Sequence, residues 1–282
     1  MPLGSIQFGS GLMSGIDFRA IIDATLKAER IPIQSIQNRI NTFEKAKGSF
    51  ENLSNLLKDF SGTLENLNSS ASVAGKTTSL SDEDATFSAS ASSSAEAGAY
   101  EIEVSDIALA HRVRSDGVSD RYSPLVDDGT ITIQAGGNEQ ISIDVSSANG
   151  NNSLQAIADT INGEDKGVVA SVINDGTNDV LVLRSEDTGS SHALTISDTT
   201  NLNLDDAGNE LQAAQSAALT IDGIAITSES NTVTGAIRGV TLNLTDETTA
   251  PVNLTVSADT DTTKQTIQEF VDAYNKINTY FD

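Results

Sequence analysis

The chain has 282 residues, 38% of them hydrophobic, with 12 aromatics (4 Tyr, 8 Phe, no Trp) and a net charge of −24. That length allows two or three domains with real cores, and the Ser, Thr, Asn, Asp and Gly content favours short strands and many turns. With no cysteine, disulfide frameworks, thiolate nucleophiles and cysteine-bound metals are excluded, which suits a cytosolic protein or one exported unfolded through a narrow channel.

The N-terminus "MPLGSIQFGSGLMSGIDF" has neither the basic region nor the continuous apolar run of a cleaved signal peptide, and no stretch reaches 18 apolar residues. Charge is uneven. Residues 1–76 carry 8 Lys/Arg against 7 Asp/Glu, residues 77–260 carry 6 against 29, and residues 261–282 carry 2 against 4. An acidic middle repels phosphate backbones and argues against nucleic acid as a partner.

In chain order, Asp17 is placed to cap a helix over "FRAIIDATLKAER". Pro32 is expected to interrupt it, because its ring removes a backbone donor and restricts Ile31. A longer helix is expected over 33–68. Ile36, Phe43, Phe50, Leu57 and Leu64 recur every seven residues there. A second lane runs Ile33, Ile40, Lys47, then Leu53, Phe60 and Leu67, slipping by one near Gly48. This is the pattern of a coiled-coil-like helix. The other end, "TTKQTIQEFVDAYNKINTYFD", offers Ile267, Phe270, Tyr274, Ile277 and Phe281 at 3-4-3-4 spacing. Packing the two terminal helices together would cover both stripes, with more cover from other chains or from residues beyond this sequence; a helix lying on its own domain is the alternative.

Between the helices, "YEIEV" (100–104), "TITI" (130–133), "ISIDV" (141–145), "GVTLNL" (239–244) and "VNLTV" (252–256) alternate as strands do. "ALTIDGIAIT" (218–227) predicts a hairpin with a type I′ turn at Asp222-Gly223. In "SLQAIADTINGEDKGVVASVINDGTNDVLVLRS" (153–185), Ser153 is expected to cap a helix with Leu154, Ile157, Ala158 and Ile161 inward, followed by two strands paired across "NDGTND". "SNTVTGAIRGVTLNL" (230–244) suggests a similar cap, short helix and strand. The Ser-rich 68–84 and the polar 201–219 read as boundaries.

Reactive constellations are scarce. His111 and His192 stand apart, with no Cys or second His close in sequence, which suits structural roles. "DDGT" (127–130) and "NDGTND" (174–179) are turn sequences, because a calcium loop starting at Asp175 would run through a strand before reaching Glu186. "GSGLMSG" (9–15) follows no strand and lacks the lysine of a phosphate loop, and no G-x-S-x-G occurs. Neither an enzyme nor a cofactor is expected.

Motifs at both ends and between them resemble one family. "FGSGLMSGIDFRAIIDATLKAERIPIQSIQNRI" (8–40), with its Gly-Ser-Gly-Leu start and "AER-x-P", resembles the N-terminus of the bacterial flagellar filament cap family, also called hook-associated protein 2. "AGAYEIEVSDIALAHRVRS" (97–115), "AALTIDGIAITSESNTVTGAIRGVTLNL" (217–244) and "DTDTTKQTIQEFVDAYNKIN" (259–278) are similar to later blocks of that family, in its order. Residues 153–185 resemble the repeat shared by flagellins and hook-associated proteins.

The resemblance implies an α+β multidomain fold. It comprises an N-terminal segment and stalk helix (1–70), a discontinuous β-rich head domain (71–115 and 213–260), an inserted head domain (116–212) and a returning stalk helix (261–282) that continues in relatives. It implies an extracellular structural protein at the distal filament tip, exported by the type III route without a cleaved signal. It implies a homo-oligomeric ring that guides flagellin polymerisation and prevents flagellin loss, with other hook-associated proteins, an export chaperone and a host surface as further partners and no membrane insertion. The stalk residues expected to touch partners are Ile36, Ile40, Phe43, Phe50, Leu53, Leu57, Phe60, Leu64, Ile267, Phe270, Tyr274 and Ile277. A hook–filament junction protein shares the repeat but is less well matched by "AER-x-P" and the "TIDG…GVTLNL" block. An adhesin head would rely on exposed aromatics, of which the middle has few.

Overall fold

The computed structural model describes residues 18–82 and 84–281. Asp17, the expected helix cap, and the glycine motif at 9–15 lie outside the described residues. Four α-helices occur among them: α1 (Phe18–Leu67), α2 (Ser70–Val73), α3 (Leu154–Glu164) and α4 (Thr260–Phe281). The described residues form two compact units, one of residues 18–69 and 264–281, the other within Ser70–Thr263.

In the helical unit, α1 runs unbroken for 50 residues, about 75 Å at ~1.5 Å per residue. Pro32 sits inside it, contrary to the expected interruption. Proline in a helix interior costs ~3 kcal/mol through its missing donor and ring clash. Here every residue from Arg19 to Lys47 is exposed, so the freed carbonyl can turn to water. Along α1, Leu53, Leu56, Phe60, Thr63 and Leu67 are half-buried. On α4, Thr266 and Ala273 are buried, and Phe270 and Ile277 half-buried. The Phe60 ring meets Phe270 at 5.3 Å and Tyr274 at 6.4 Å, and the Tyr280 hydroxyl donates to the Ser49 carbonyl at 2.6 Å. The two helices therefore run antiparallel.

The second unit holds two apolar cores. Around the first, a five-stranded antiparallel sheet takes the order Lys76–Leu80, Val252–Ala258, Gly98–Asp106, Ala217–Ile221, Ile224–Ser228. A three-stranded sheet, Thr232–Thr234, Val240–Leu244 and Phe87–Ala91, accompanies it. Phe87, Ile102, Val104, Leu219, Leu242, Leu254 and Val256 interleave from both sheets. Period-two alternation in each strand sends these residues inward and leaves Asn253, Thr255, Glu101 and Glu103 in water.

The expected hairpin joins Ala217–Ile221 to Ile224–Ser228 with Ile221 opposite Ile224. Asp222 (φ 50°) and Gly223 (φ 76°) both take positive φ, as a type I′ turn requires. The short helix expected after Ser230 does not form. Thr232–Thr234 is instead a strand, because the β-branched Thr-Val-Thr alternation lets Val233 enter the core opposite Leu242. Part of the Ser-rich 68–84 is likewise ordered, as α2 and the edge strand Lys76–Leu80.

Around the second core lie a four-stranded sheet (Glu210–Gln212, Arg112–Arg114, Asp179–Ser185, Val168–Asn174) and a three-stranded one (Ile141–Val145, Gly129–Ala135, Leu194–Asp198). Ser153 caps α3 by accepting from the Ala156 amide at 3.3 Å. Leu154, Ile157, Ala158 and Ile161 are buried against Ile131, Ile143, Leu181 and Leu183. Val168–Asn174 pairs with Asp179–Ser185 in full register, as expected of 153–185.

Candidate interaction surface

The histidines are structural. His111 accepts the Leu194 amide on Nδ1 at 2.8 Å, which leaves its Nε2 proton for Glu210, 3.1 Å away. His192 sets Nδ1 2.8 Å from the Thr188 carbonyl oxygen. Among the described residues no three His, Cys, Asp or Glu side chains come together as a metal site would need, and no helix is long and apolar enough to cross a membrane.

What stands out is apolar surface left in water on the helices. Of the heptad lanes on α1, the second is half-buried only at Leu53, Phe60 and Leu67, whereas Ile36, Phe43, Phe50, Leu57 and Leu64 all remain exposed, Phe43 at 68% and Phe50 at 72%. Ile40 is exposed too. On α4, Phe270 and Ile277 face inward, but Ile267 and Tyr274 are exposed, as is Phe281. The packed stripe of α4 thus runs Thr266, Phe270, Ala273, Ile277: Phe270 and Ile277 are as expected, but Thr266 and Ala273 stand in for the expected Ile267 and Tyr274, and Phe281 is exposed. Thr266 and Ala273 are buried, while the bulky Ile267 and Tyr274 flank that stripe in water.

Burying a Phe, Ile or Leu side chain contributes about 1.5–3 kcal/mol, so a lane that stays wet forgoes a large stabilisation. Monomeric proteins rarely expose contiguous apolar surface without a partner for it. Heptad spacing specifies the geometry such a partner would have, an apolar stripe running alongside the helix.

Sequence reasoning missed the polar fastenings of the β unit. Arg121 chelates Asp179 through Nε and Nη2, the Asp179 carboxylate also accepts from the Arg121 amide (3.0 Å) and Asn174 Nδ2 (3.1 Å), and Arg121 Nη1 reaches the Val172 carbonyl at 3.2 Å. The Arg121 side chain, then Asn174, holds the Asp179 carboxyl below the ordinary carboxylate range. Asp116 is lowered by the Asn203 and Asn209 side chains that donate to it at 2.7 and 3.3 Å. Asn174 and Asp179 close the "NDGTND" turn, whereas Arg121 and Asp116 reach their partners across more than 50 residues of chain.

Family models describe two parts of the chain. Residues 14–111 match the N-terminus of flagellar hook-associated protein 2 and residues 214–282 its C-terminus. The hook-associated protein 2 of Escherichia coli strain K12 is 34% identical over 286 residues, covering 95% of this chain and 59% of that protein. The B-type protein of Pseudomonas aeruginosa PAO1 is 29% identical over 304 residues, covering 97% and 63%. The chain thus spans about three fifths of the length of these relatives. A crystal structure of the D1-D2-D3 domains of the flagellar cap protein FliD from E. coli superposes with a TM-score of 0.72 at 33% identity, over 83% of this chain and 69% of that one. FliD from P. aeruginosa PAO1 superposes at 0.58 and 27%, over 70% and 95%. With matches at both ends, in order, and a shared fold between them, the chain belongs to the flagellar hook-associated protein 2 family.

Proposed function

We propose that this chain is the filament cap of a bacterial flagellum, acting as a structural protein at the distal, extracellular tip. It guides incoming flagellin into the growing lattice, prevents flagellin loss and does so as an oligomeric ring. The observation that carries the reading is the family match at both ends of the chain combined with the heptad lane of α1 left in water.

In this reading α1 and α4 form a stalk from the two ends of the chain. The core of Ile102 and Leu254 is a discontinuous head domain (71–115 and 213–260), into which the domain around Leu181 (116–212) is inserted. The Phe60–Phe270 contact supports such a stalk. Ile36, Ile40, Phe43, Phe50, Leu57, Leu64, Ile267 and Tyr274 would meet flagellin, neighbouring caps or further helix of the same protein, and Leu53, Phe60, Phe270 and Ile277 would hold the helices together. The mechanism is mechanical: apolar seams bind and release as subunits insert, and no covalent bond changes. The acidic head keeps exposed surfaces apart by mutual repulsion. Export is by the type III route without a cleaved signal, with a chaperone covering the apolar lanes.

Immunogold microscopy of isolated flagella, with antibody against residues 77–260, tests this. Gold confined to distal tips is the expected result. Gold at the hook junction or along the shaft would overturn the cap reading in favour of a sibling role.

A further inference from the structure

The two β cores are joined by more than the two segments of chain that pass between them. Where those segments meet, Leu109 and Gln215 exchange backbone bonds at 2.7 and 3.1 Å. Beside them, residues 187–192, which link two strands of the second core, lie against Glu229, which links two strands of the first. One Glu229 oxygen accepts from the Ser191 amide (3.0 Å) and the Ser191 hydroxyl (2.8 Å), and the other from Ser216 Oγ (3.0 Å). The Glu229 carbonyl accepts from Thr188 Oγ1 at 2.7 Å, and Ser190 reaches Ser216 through its amide (3.0 Å) and hydroxyl (2.7 Å).

Gly189 lies buried between the two sides. Its φ of 100° is unfavourable for other residues, and a Cβ there would collide with the Glu229 carboxylate and backbone. The site is thus shaped on one side for a carboxylate and on the other for the absence of a side chain.

We propose that Glu229 is the pin of a joint that locks the two β cores at one fixed angle, so that they move as a single lever. Passing segments alone, with backbone bonds only at Leu109, to Gln215 and from the Gly189 amide at 3.1 Å, would leave a hinge. The carboxylate spans both cores with charge-assisted bonds, which are stronger than neutral ones and sensitive to distance and direction. Loss of the pin leaves each core its own sheets and apolar interior, so the joint loosens without unfolding either part. This inference stands apart from the cap reading, since it concerns only contacts within the β unit.

The chain has no cysteine, so spin labels can be placed on Ser171→Cys in the second core and Ser257→Cys in the first, both exposed strand positions. Pulsed electron resonance should give a single narrow distance distribution in the parent. Glu229→Ala and, independently, Ser191→Ala with Ser216→Ala should broaden it at least about twofold, with amide exchange at Leu181 and Leu219 unchanged. Glu229→Gln, which keeps an acceptor but not the charge, should fall between. An unchanged width in these variants, with both cores folded, would overturn the joint. So would a parent distribution already as broad as that of Glu229→Ala. Should Glu229→Ala unfold a core, Glu229→Gln decides alone, by broadening or by failing to.

Discussion

The aromatic rings of Phe60 and Phe270, near opposite ends of the chain, stack with centroids 5.3 Å apart and planes tilted by 31°. This contact, with Tyr274 at 6.4 Å from the same ring, gives the α1–α4 pairing an aromatic centre. Phe60→Ala removes the ring that both α4 aromatics meet. Because Phe60 is half-buried, the loss should be about 1–3 kcal/mol, below that of a fully buried ring. Protease cleavage within α4 should accelerate accordingly, while urea unfolding of the β unit stays unchanged.

Phe43→Ser and Phe50→Ser should behave in the opposite way. Both rings are exposed, so the isolated chain should keep its thermal unfolding midpoint and helix content. In the flagellated cell the same substitutions should reduce filament growth, scored as flagellar length. Normal growth of the Phe50→Ser strain would count against the lane as a partner surface.

Pro32→Ala should stabilise α1 locally by up to ~3 kcal/mol, restoring a backbone donor in the helix interior. Amide exchange around residues 28–36 should slow, with the β unit unaffected. No change there would mean that α1 is already frayed on that side of Pro32.

Arg121→Met would leave the buried Asp179 carboxylate with fewer partners. Removing one partner leaves the other charge uncompensated, and although Asn174 and the Arg121 amide remain, the urea midpoint of the β unit should fall. Arg121→Met with Asp179→Leu should recover much of the loss.

Acid should weaken the β unit. Glu229 is lowered from 4.5, chiefly by the Ser191 amide and hydroxyl, and Asp179 and Asp116 are lowered from 3.8 by their side-chain donors. A carboxyl depressed on folding stabilises fully above its unfolded value, and that contribution fades as pH falls through the folded one. Unfolding midpoints should thus be level near neutrality and decline as pH falls below 4.5 and then 3.8. In Glu229→Gln the first part of that decline should shrink.

The local elements were largely legible in the sequence because their causes are local. Alternation in "YEIEV" and "VNLTV", the Asp222-Gly223 turn and the Ser153 cap each depend on residues within a few positions, and each forms as expected. Where a local cause misled at Val233, a distant one prevailed, since Leu242 draws it into a strand; Pro32 is carried by a helix whose exposure leaves the Ala28 carbonyl open to solvent.

The sequence by itself determined that both ends are helices with apolar stripes, that the middle is acidic β structure, and which family the motifs resemble. Only the tertiary structure decided which face of each stripe is used. On α4, hydropathy favours Ile267 and Tyr274, yet Thr266 and Ala273 took the buried positions, beside Phe270 and Ile277. The same holds for the polar pairs. Arg121 with Asp179 and Ser191 with Glu229 are joined across long stretches of chain by strand order, and nothing in the spacing of charged residues announces which of 40 carboxylates will be enclosed. Periodicity is a property of neighbours in sequence, whereas enclosure is a property of neighbours in space.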